Sequence, residues 1–174
     1  MAQQYHFKIV MCGDEACGKT SLILRYIDNV FRDNYIPTLG VNFMTKDLKT
    51  MQPETRLIIW DIGGQATWKT KLNFYLAGTD GAIIVFDLTR PNTFLGVEEW
   101  MKKIQAIAGP NTPFIVVGNK NDLKDLRKVS KKEVEKFLQK QKFSTYFESS
   151  AKTGENVNIL FDRIAKEIIK VKGK

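Results

Sequence analysis

The chain of 174 residues is 43% hydrophobic and 26% charged, which suits one globular domain with its own core, and no apolar run nears the roughly 20 residues that span a bilayer. Two cysteines, Cys12 and Cys17, and one histidine, His6, exclude a disulfide framework, a Cys-based zinc site and a His-dependent triad, and fit a reducing cytosol. The net charge of +8 would suit nucleic acid or an anionic membrane only if it were gathered on one face.

The opening MAQQYHFKIV has no basic segment followed by an apolar one, so no secretory leader is expected. Ala2 stands where myristoylation needs a glycine. FKIVMC, residues 7–12, reads as a strand with His6 leading into it. The loop GDEACGKT, Gly13 to Thr20, comes next, and a helical stretch over residues 19–29 follows. This is G-x-x-x-x-G-K-[ST] between a strand and a helix. Its backbone N–H groups can wrap phosphates, and the helix N-terminus adds partial positive charge. Lys19 can reach the terminal phosphates, and Thr20 can offer its hydroxyl to Mg²⁺. The pattern alone does not separate ATP from GTP. It also carries an oddity: Asp14 and Glu15 put two acids into a loop built for an anion.

VNFMTKDL (41–48) and RLIIWD (56–61), joined by the polar turn KTMQPE, read as neighbouring antiparallel strands. Asp61 ends the second, where its carboxylate could hold a metal-bound water. Gly63, Gly64 and Gln65 follow. Gly64 could donate its N–H to a γ-phosphate, and its missing Cβ would permit a rearrangement after hydrolysis. AIIVFD (82–87) and FIVVGN (114–119) are near-continuous apolar runs, as in strands covered on both faces. Between them Phe94, Val97, Met101, Ile104 and Ile107 recur at helical spacing.

NKND, Asn119 to Asp122, closes the strand FIVVG. Asp122 can accept from guanine's ring N–H and exocyclic amine together, a pair adenine does not offer. Asn119 would brace the loop, and the stem of Lys120 would cover the base. Ser130 and Glu133 form a capping-box pattern. TYFESS (145–150) is a last strand, and ESSAK (148–152) brings the Ala151 N–H for a guanine carbonyl. Val157, Leu160, Phe161, Ile164, Ile168 and Val171 form the stripe of a terminal helix. Lysines of the last third fall on polar helix sides, and no aromatic-interleaved basic motif appears, so no nucleic acid is expected. The expected fold is α/β: a six-stranded, mostly parallel sheet with one antiparallel strand and helices on both faces. Residues 1–174 are expected to form one domain, with its ligand crevice at the carboxyl ends of the strands.

With these motifs in this order, the chain resembles a Ras-superfamily small GTPase over about residues 5–172, nearest the Rab branch. The resemblance implies that Glu15, Ala16, Cys17, Gly18, Lys19, Thr20 and Ser21 hold the phosphates of GTP or GDP. It implies that Phe31 packs on the guanine and Tyr35 lies over the phosphates. Thr38, in YIPTLGVNF, would join the Mg²⁺ shell with Thr20 and, through water, Asp61. The guanine contacts would come from Asn119, Lys120, Asp122, Leu123, Ser150, Ala151 and Lys152. Phe43, Trp60 and Tyr75 match the aromatic triad that faces effectors in that branch.

What the resemblance implies about activity is a slow GTP hydrolase acting as a switch. Lys19, Thr38 and Mg²⁺ neutralise phosphate charge, and Gln65 orients water. Residues 32–42 and 62–75 would be ordered by the γ-phosphate. Effectors, an exchange factor and an activating protein are the implied partners of a cytoplasmic monomer, with a role in vesicle trafficking or signalling. An arginine in cis to assist hydrolysis is not evident. Three departures from the branch stand out: DIGGQ in place of DTAGQ, Ala66 after the glutamine, and an end at KVKGK without a cysteine. A lipidated tail beyond Lys174, or none, are both open, so membrane contact is expected only through such a tail or a partner. Asp14 is expected to turn outward. Glu15 occupies the loop position that crowds Gln65. Two like charges about 4 Å apart repel by roughly 4 kcal/mol at an effective dielectric near 20. An alternative is therefore a GTP-binding module with negligible hydrolysis.

Overall fold

The computed structural model describes residues 4–34, 37–49, 51, 54–63, 71–141 and 145–172. The strands are β1 (Tyr5–Cys12), β2 (Val41–Leu48), β3 (Thr55–Ile62), β4 (Gly81–Asp87), β5 (Phe114–Asn119) and β6 (Tyr146–Glu148). The helices are α1 (Lys19–Asp28), α2 (Leu72–Leu76), α3 (Pro91–Leu95), α4 (Val97–Ala108), α5 (Lys131–Lys140) and α6 (Val157–Lys172). One six-stranded sheet runs in the order β2-β3-β1-β4-β5-β6. Only the β2–β3 pair is antiparallel; β1 runs parallel to both β3 and β4. The expected fold is therefore the observed one.

The sheet is covered on both faces because its strands are apolar on both sides. Every residue of β4 and β5 is buried. Alternation then sorts the side chains. Ile9, Met11, Ile83, Val85, Ile115 and Val117 face a core shared with Leu22 of α1 and with Leu160, Phe161 and Ile164 of α6. Val10, Cys12, Ile84, Phe86 and Val116 face a second core with Leu72, Leu76, Met101, Ile104, Val134 and Leu138. Tyr26 and Phe161 stack with centroids 4.0 Å apart and so fasten α1 to α6.

Element ends follow local chemistry. α1 stops at Asn29, which adopts the left-handed conformation and donates its N–H to the Arg25 carbonyl. α5 starts with the anticipated capping box, Ser130 accepting from Glu133 N–H and the Glu133 carboxylate accepting from Ser130 N–H. The stripe from Phe94 to Ile107 belongs to two helices, because α3 ends at Leu95 and α4 begins at Val97 around Gly96. Asp61 does not end its strand, since β3 runs on through Ile62. The short helix α2 has no counterpart among the predicted elements, and β6 is half the length of TYFESS.

The connection leaving the carboxyl end of β1 runs toward the β3 side of the sheet to β2, whereas the one leaving the neighbouring β4 runs the opposite way to β5. That is the topological switch point, where ligand crevices form. The loop Gly13–Gly18 sits there. Among the described residues no helix is long and apolar enough to cross a membrane.

Both thiols are buried. Burial pushes the Cys12 thiol up to about 12 from an ordinary 9.0, with the Lys19 and Lys103 charges opposing it. Burial raises Cys17 as well. Below the unfolded value both states keep the proton; above it the unfolded chain ionises first, so stability falls as pH climbs from 9.0 toward 12. The folded protein should therefore leave a disulfide reagent unconsumed at about pH 8, and both thiols should react once it is unfolded. Rapid labelling of the folded protein would contradict this placement.

Candidate functional site: a loop cluster at the carboxyl ends of the strands

The loop after β1 bends back on itself, and its glycines are dictated by close approach. Gly13 has φ 135°, and a Cβ there would come 2.1 Å from the Val85 carbonyl oxygen. Gly18 has φ 91°, and a Cβ there would come 2.3 Å from Asn119 Nδ2. Ala16 takes a positive φ of 59° between them. The loop is thus pressed against β4 on one side and the NKND segment on the other.

Lys19, only 6% exposed, donates from Nζ to the Gly13 and Asp14 carbonyls at 2.8 and 2.7 Å. Burial lowers its pKa, while neighbouring Cys17 and Asp61 act the other way. The loop therefore holds a cation with its ammonium folded over its own carbonyl groups. Beside it three groups from three elements converge. Thr20 Oγ1 lies 2.7 Å from Thr38 Oγ1 and donates to Asp61 Oδ2 at 2.5 Å. Asp61 is fully buried, and its other oxygen, Oδ1, has no hydrogen-bond partner among the described residues. Burial raises the Asp61 carboxyl, against the hydrogen bonds from Thr20 and Thr38 and the charge of Lys19.

An orphaned buried carboxylate oxygen next to two hydroxyls fits a hydrated Mg²⁺, which takes a few protein oxygens and completes its shell with water and phosphate. No group of three or more His, Cys, Asp or Glu occurs among the described residues, so a site made of carboxylates or imidazoles alone is not on offer there. Gly63 N–H donates to the Gly40 carbonyl at 3.0 Å, joining the end of β3 to the Thr38 segment.

The NKND and ESSAK segments meet at several points, chief among them the buried Asn119 amide. Asn119 donates to the Cys17 carbonyl at 2.9 Å, and its Oδ1 accepts from Ser149 Oγ and from Ala151 N–H, both at 3.3 Å. Asp122 Oδ1 accepts from Ser150 Oγ at 2.5 Å, which fixes that carboxylate's direction. Lys120, at φ 68°, sends its ammonium 2.7 Å from Asp87 Oδ2.

These parts enclose a cavity of about 500 Å³. Glu15, Ala16, Gly18, Lys19, Thr20, Ser21, Phe31, Thr38, Asn119, Lys120, Asp122, Leu123, Ala151 and Lys152 all line it. Cys17 and Ser150 do not line it and act from behind, the first buried under the loop and the second on Asp122. Tyr35, Gly64, Gln65 and Ala66 lie outside the described residues. Glu15 is exposed on the cavity side. Asp14 is half-buried, less open to solvent than expected. Its Oδ1 would stand 3.3 Å from a Cβ at Gly96, which puts the carboxylate at the start of α4, where the helix's positive end favours an anion.

Phe43 and Trp60 are cross-strand partners with rings 4.5 Å apart, edge to face, and Trp60 lies 6.4 Å from Tyr75. The predicted aromatic trio is therefore one cluster, with Phe43 59% exposed. The Lys8 ammonium sits 3.7 Å over the Trp60 ring.

Sequence reasoning missed Arg25, Asp87 and Arg90. Arg25 donates to the Ala151 and Lys152 carbonyls at 2.8 and 2.6 Å, so α1 carries the ESSAK loop. Asp87 ends β4 as Asp61 nearly ends β3, and a strand-end carboxylate was the signal that could have found it.

The sequence pattern of the Ras family matches residues 8–170. The chain belongs to the Ras family. It is a Rab-like small GTPase: it is 39% identical over 165 residues to Ras-related protein Rab-1 of Theileria parva, covering 94% of this chain and 74% of that one. It is 34% identical over 171 residues to Ras-related protein Rab-13 of Bos taurus, covering 97% and 84%. Ras-related protein RABA5a of Arabidopsis thaliana is 35% identical over 170 residues, covering 98% and 76%. In this Rab-like member, then, the GDEACGKT and NKND segments meet at the carboxyl ends of β1 and β5.

Removing the Asn119 amide strands the Cys17 carbonyl and the Ala151 N–H in a buried place. Asn119→Ala should lower unfolding stability by about 1–3 kcal/mol, read as a lower urea midpoint at unchanged slope.

Proposed function

We propose that this GTPase is a switch that binds GTP through the cavity at the strand ends, hydrolyses it slowly and recruits effectors in vesicle trafficking or signalling. The single observation that carries this reading is the convergence of Lys19, Thr20 and Thr38 with Asn119 and Asp122 in one cavity, with the buried Asp61 carboxylate directly behind Thr20. A cation, two hydroxyls and a carboxylate for the phosphate–metal end lie opposite an aimed carboxylate for the base.

In this reading Asp122 accepts from the guanine ring N–H and amine, with Ser150 holding the carboxylate still. The Ala151 N–H serves the guanine carbonyl, and Phe31 and the Lys120 stem flank the ring. The backbone of residues 15–20 cradles the phosphates, and Lys19 turns its ammonium to the terminal oxygens. Thr20 and Thr38, with Asp61 through water, would hold Mg²⁺, which would supply neutralising charge to the phosphate oxygens. Gln65 orients the attacking water, and positioning and electrostatics do the rest. Loss of the γ-phosphate releases the Thr38 segment and residues 62–75, which loosens the surface around Phe43, Trp60 and Tyr75 for which effectors compete.

A second reading has an observation of its own. Glu15 is an exposed acidic residue lining the cavity, and its like charge brought close to the γ-phosphate would hold hydrolysis down. The protein would then persist in its GTP-bound form.

Displacement of a fluorescent GDP analogue tests both. GTP and GDP should displace it while ATP at the same concentration does not, and Lys19→Ala should weaken binding at least tenfold. Single-turnover phosphate release should be slow in wild type, lower again in Gln65→Leu, and faster in Glu15→Gly when an arginine-supplying activator is present. ATP competing equally with GTP would sink the guanine reading, and identical rates for wild type and Glu15→Gly would sink the role of Glu15.

A further inference from the structure

Directly after β4 the chain makes a tight turn whose backbone is pinned at both ends. Arg90 N–H donates to the Asp87 carbonyl at 2.9 Å, and the Arg90 carbonyl accepts from Thr93 N–H at 3.0 Å and Thr93 Oγ1 at 2.7 Å. Thr93 is 5% exposed, and its hydroxyl also accepts from Asp87 N–H at 2.9 Å. Arg90 is thereby delivered in one fixed orientation, as the residue that opens α3.

From that position its guanidinium forks. Nε lies 3.1 Å from Asp87 Oδ2, while Nη2 donates to the Glu15 carbonyl at 2.6 Å and lies 3.8 Å from Cys17 Sγ. Asp87 is buried, and its Oδ2 also receives the Lys120 ammonium at 2.7 Å. Its other oxygen accepts from Thr89 N–H and Thr89 Oγ1. One buried carboxylate thus holds two cations, one from the base-selecting segment and one that reaches the phosphate loop. Residues 15–17 are consequently gripped from two sides, by Arg90 at the Glu15 carbonyl and by Asn119 at the Cys17 carbonyl.

We propose that Arg90 is a positioning residue that, through Asp87, ties the phosphate loop to Lys120, so that release of one end of the nucleotide is coupled to release of the other. It rests on the nucleotide reading of the cavity given above. Arg90 does not line that cavity; it acts on the loop backbone and not on the ligand. The planar fork is what the geometry requires, because a single ammonium on a flexible stem does not satisfy Asp87 and the Glu15 carbonyl at once. Lysine at this position would keep the charge beside Asp87 and lose the hold on the loop.

Release of a fluorescent GDP analogue, with the full chain and Mg²⁺ present, tests the proposal. Arg90→Ala should release it about tenfold faster, the loss expected for one hydrogen bond to a charged group. Arg90→Lys should stay close to the alanine rate. Arg90→Ala combined with Lys120→Ala should be slower than the product of the two single effects, and that coupling should vanish in an Asp87→Asn background. A merely structural loosening of the fold would speed release too, but it would leave the two effects multiplicative. Should Asp87→Asn fail to fold, the lysine variant and the Arg90–Lys120 cycle decide alone. Recovery of the wild-type rate by Arg90→Lys, or multiplicative single effects, overturns the proposal. A wild type that binds no guanine nucleotide overturns the cavity reading with it, whereas tight wild-type binding with an unchanged Arg90→Ala rate overturns this inference only.

Discussion

Asn119 is the side chain on which the arrangement of the site depends. Its amide is buried, and each of its polar ends is used: one toward the Cys17 carbonyl, the other toward Ser149 and Ala151. Three loops from three places in the sequence are held by one planar group with a fixed donor and acceptor side. That hold also explains Gly18, where any side chain would strike Asn119 Nδ2. A buried amide left half-paired would cost more than its bonds return. The three loops therefore keep their relative positions together or lose them together.

Around that tie the structure concentrates charge where the fold can afford it. Lys19, Asp61 and Asp87 are all buried at the carboxyl ends of parallel strands. Each is kept by partners of opposite character. Burial alone would raise the Asp87 carboxyl, yet the hydrogen bonds from Lys120 and Thr89 and the Lys120 charge outweigh it and hold it below the usual carboxylate range. Asp61 has weaker compensation, two hydroxyls and a more distant cation, and burial prevails. The two strand-end carboxylates therefore differ in kind. Asp87 is neutralised within the protein, whereas Asp61 keeps an oxygen without a partner among the described residues, which suits a metal.

The antiparallel edge of the sheet has different physics. β2 is the outer strand, and most of its outward residues are exposed or half-buried. Phe43 packs its edge against Trp60 across the strand pair, and the Lys8 ammonium caps that ring while donating to the Ala77 carbonyl at 2.7 Å. A cation on an aromatic face orients the ring as well as stabilising it. The exposed aromatic surface is thus braced from the central strand β1 beneath it. Because β3 carries both Trp60 and Asp61, adjacent residues point to opposite faces, one toward this surface and one toward the site.

Much of this was legible in the sequence because its causes are local. Apolar runs with turn residues between them marked five of the strands within a residue or two, and the Ser130–Glu133 box marked α5. GDEACGKT and NKND marked two of the loops that line the cavity, since the tight turn of the first demands glycines at those spacings. What the sequence left undecided depends on partners far along the chain. Gly96 divides a helical stripe that periodicity reads as one, and Asp14 finds its place at the start of α4 because tertiary packing brings that helix end to the loop. Arg25 and Arg90 look like any surface arginine in a charged chain. Only the folded sheet brings them to carbonyl groups 126 and 75 residues away. Likewise Asp87 reads as the polar end of a buried strand, and its pairing with Lys120 exists only because β4 and β5 are neighbours. Motif chemistry was written in the order of residues, while the buried ion pairs and hydrogen bonds that hold the motifs together were decided by which strand ends the topology sets side by side.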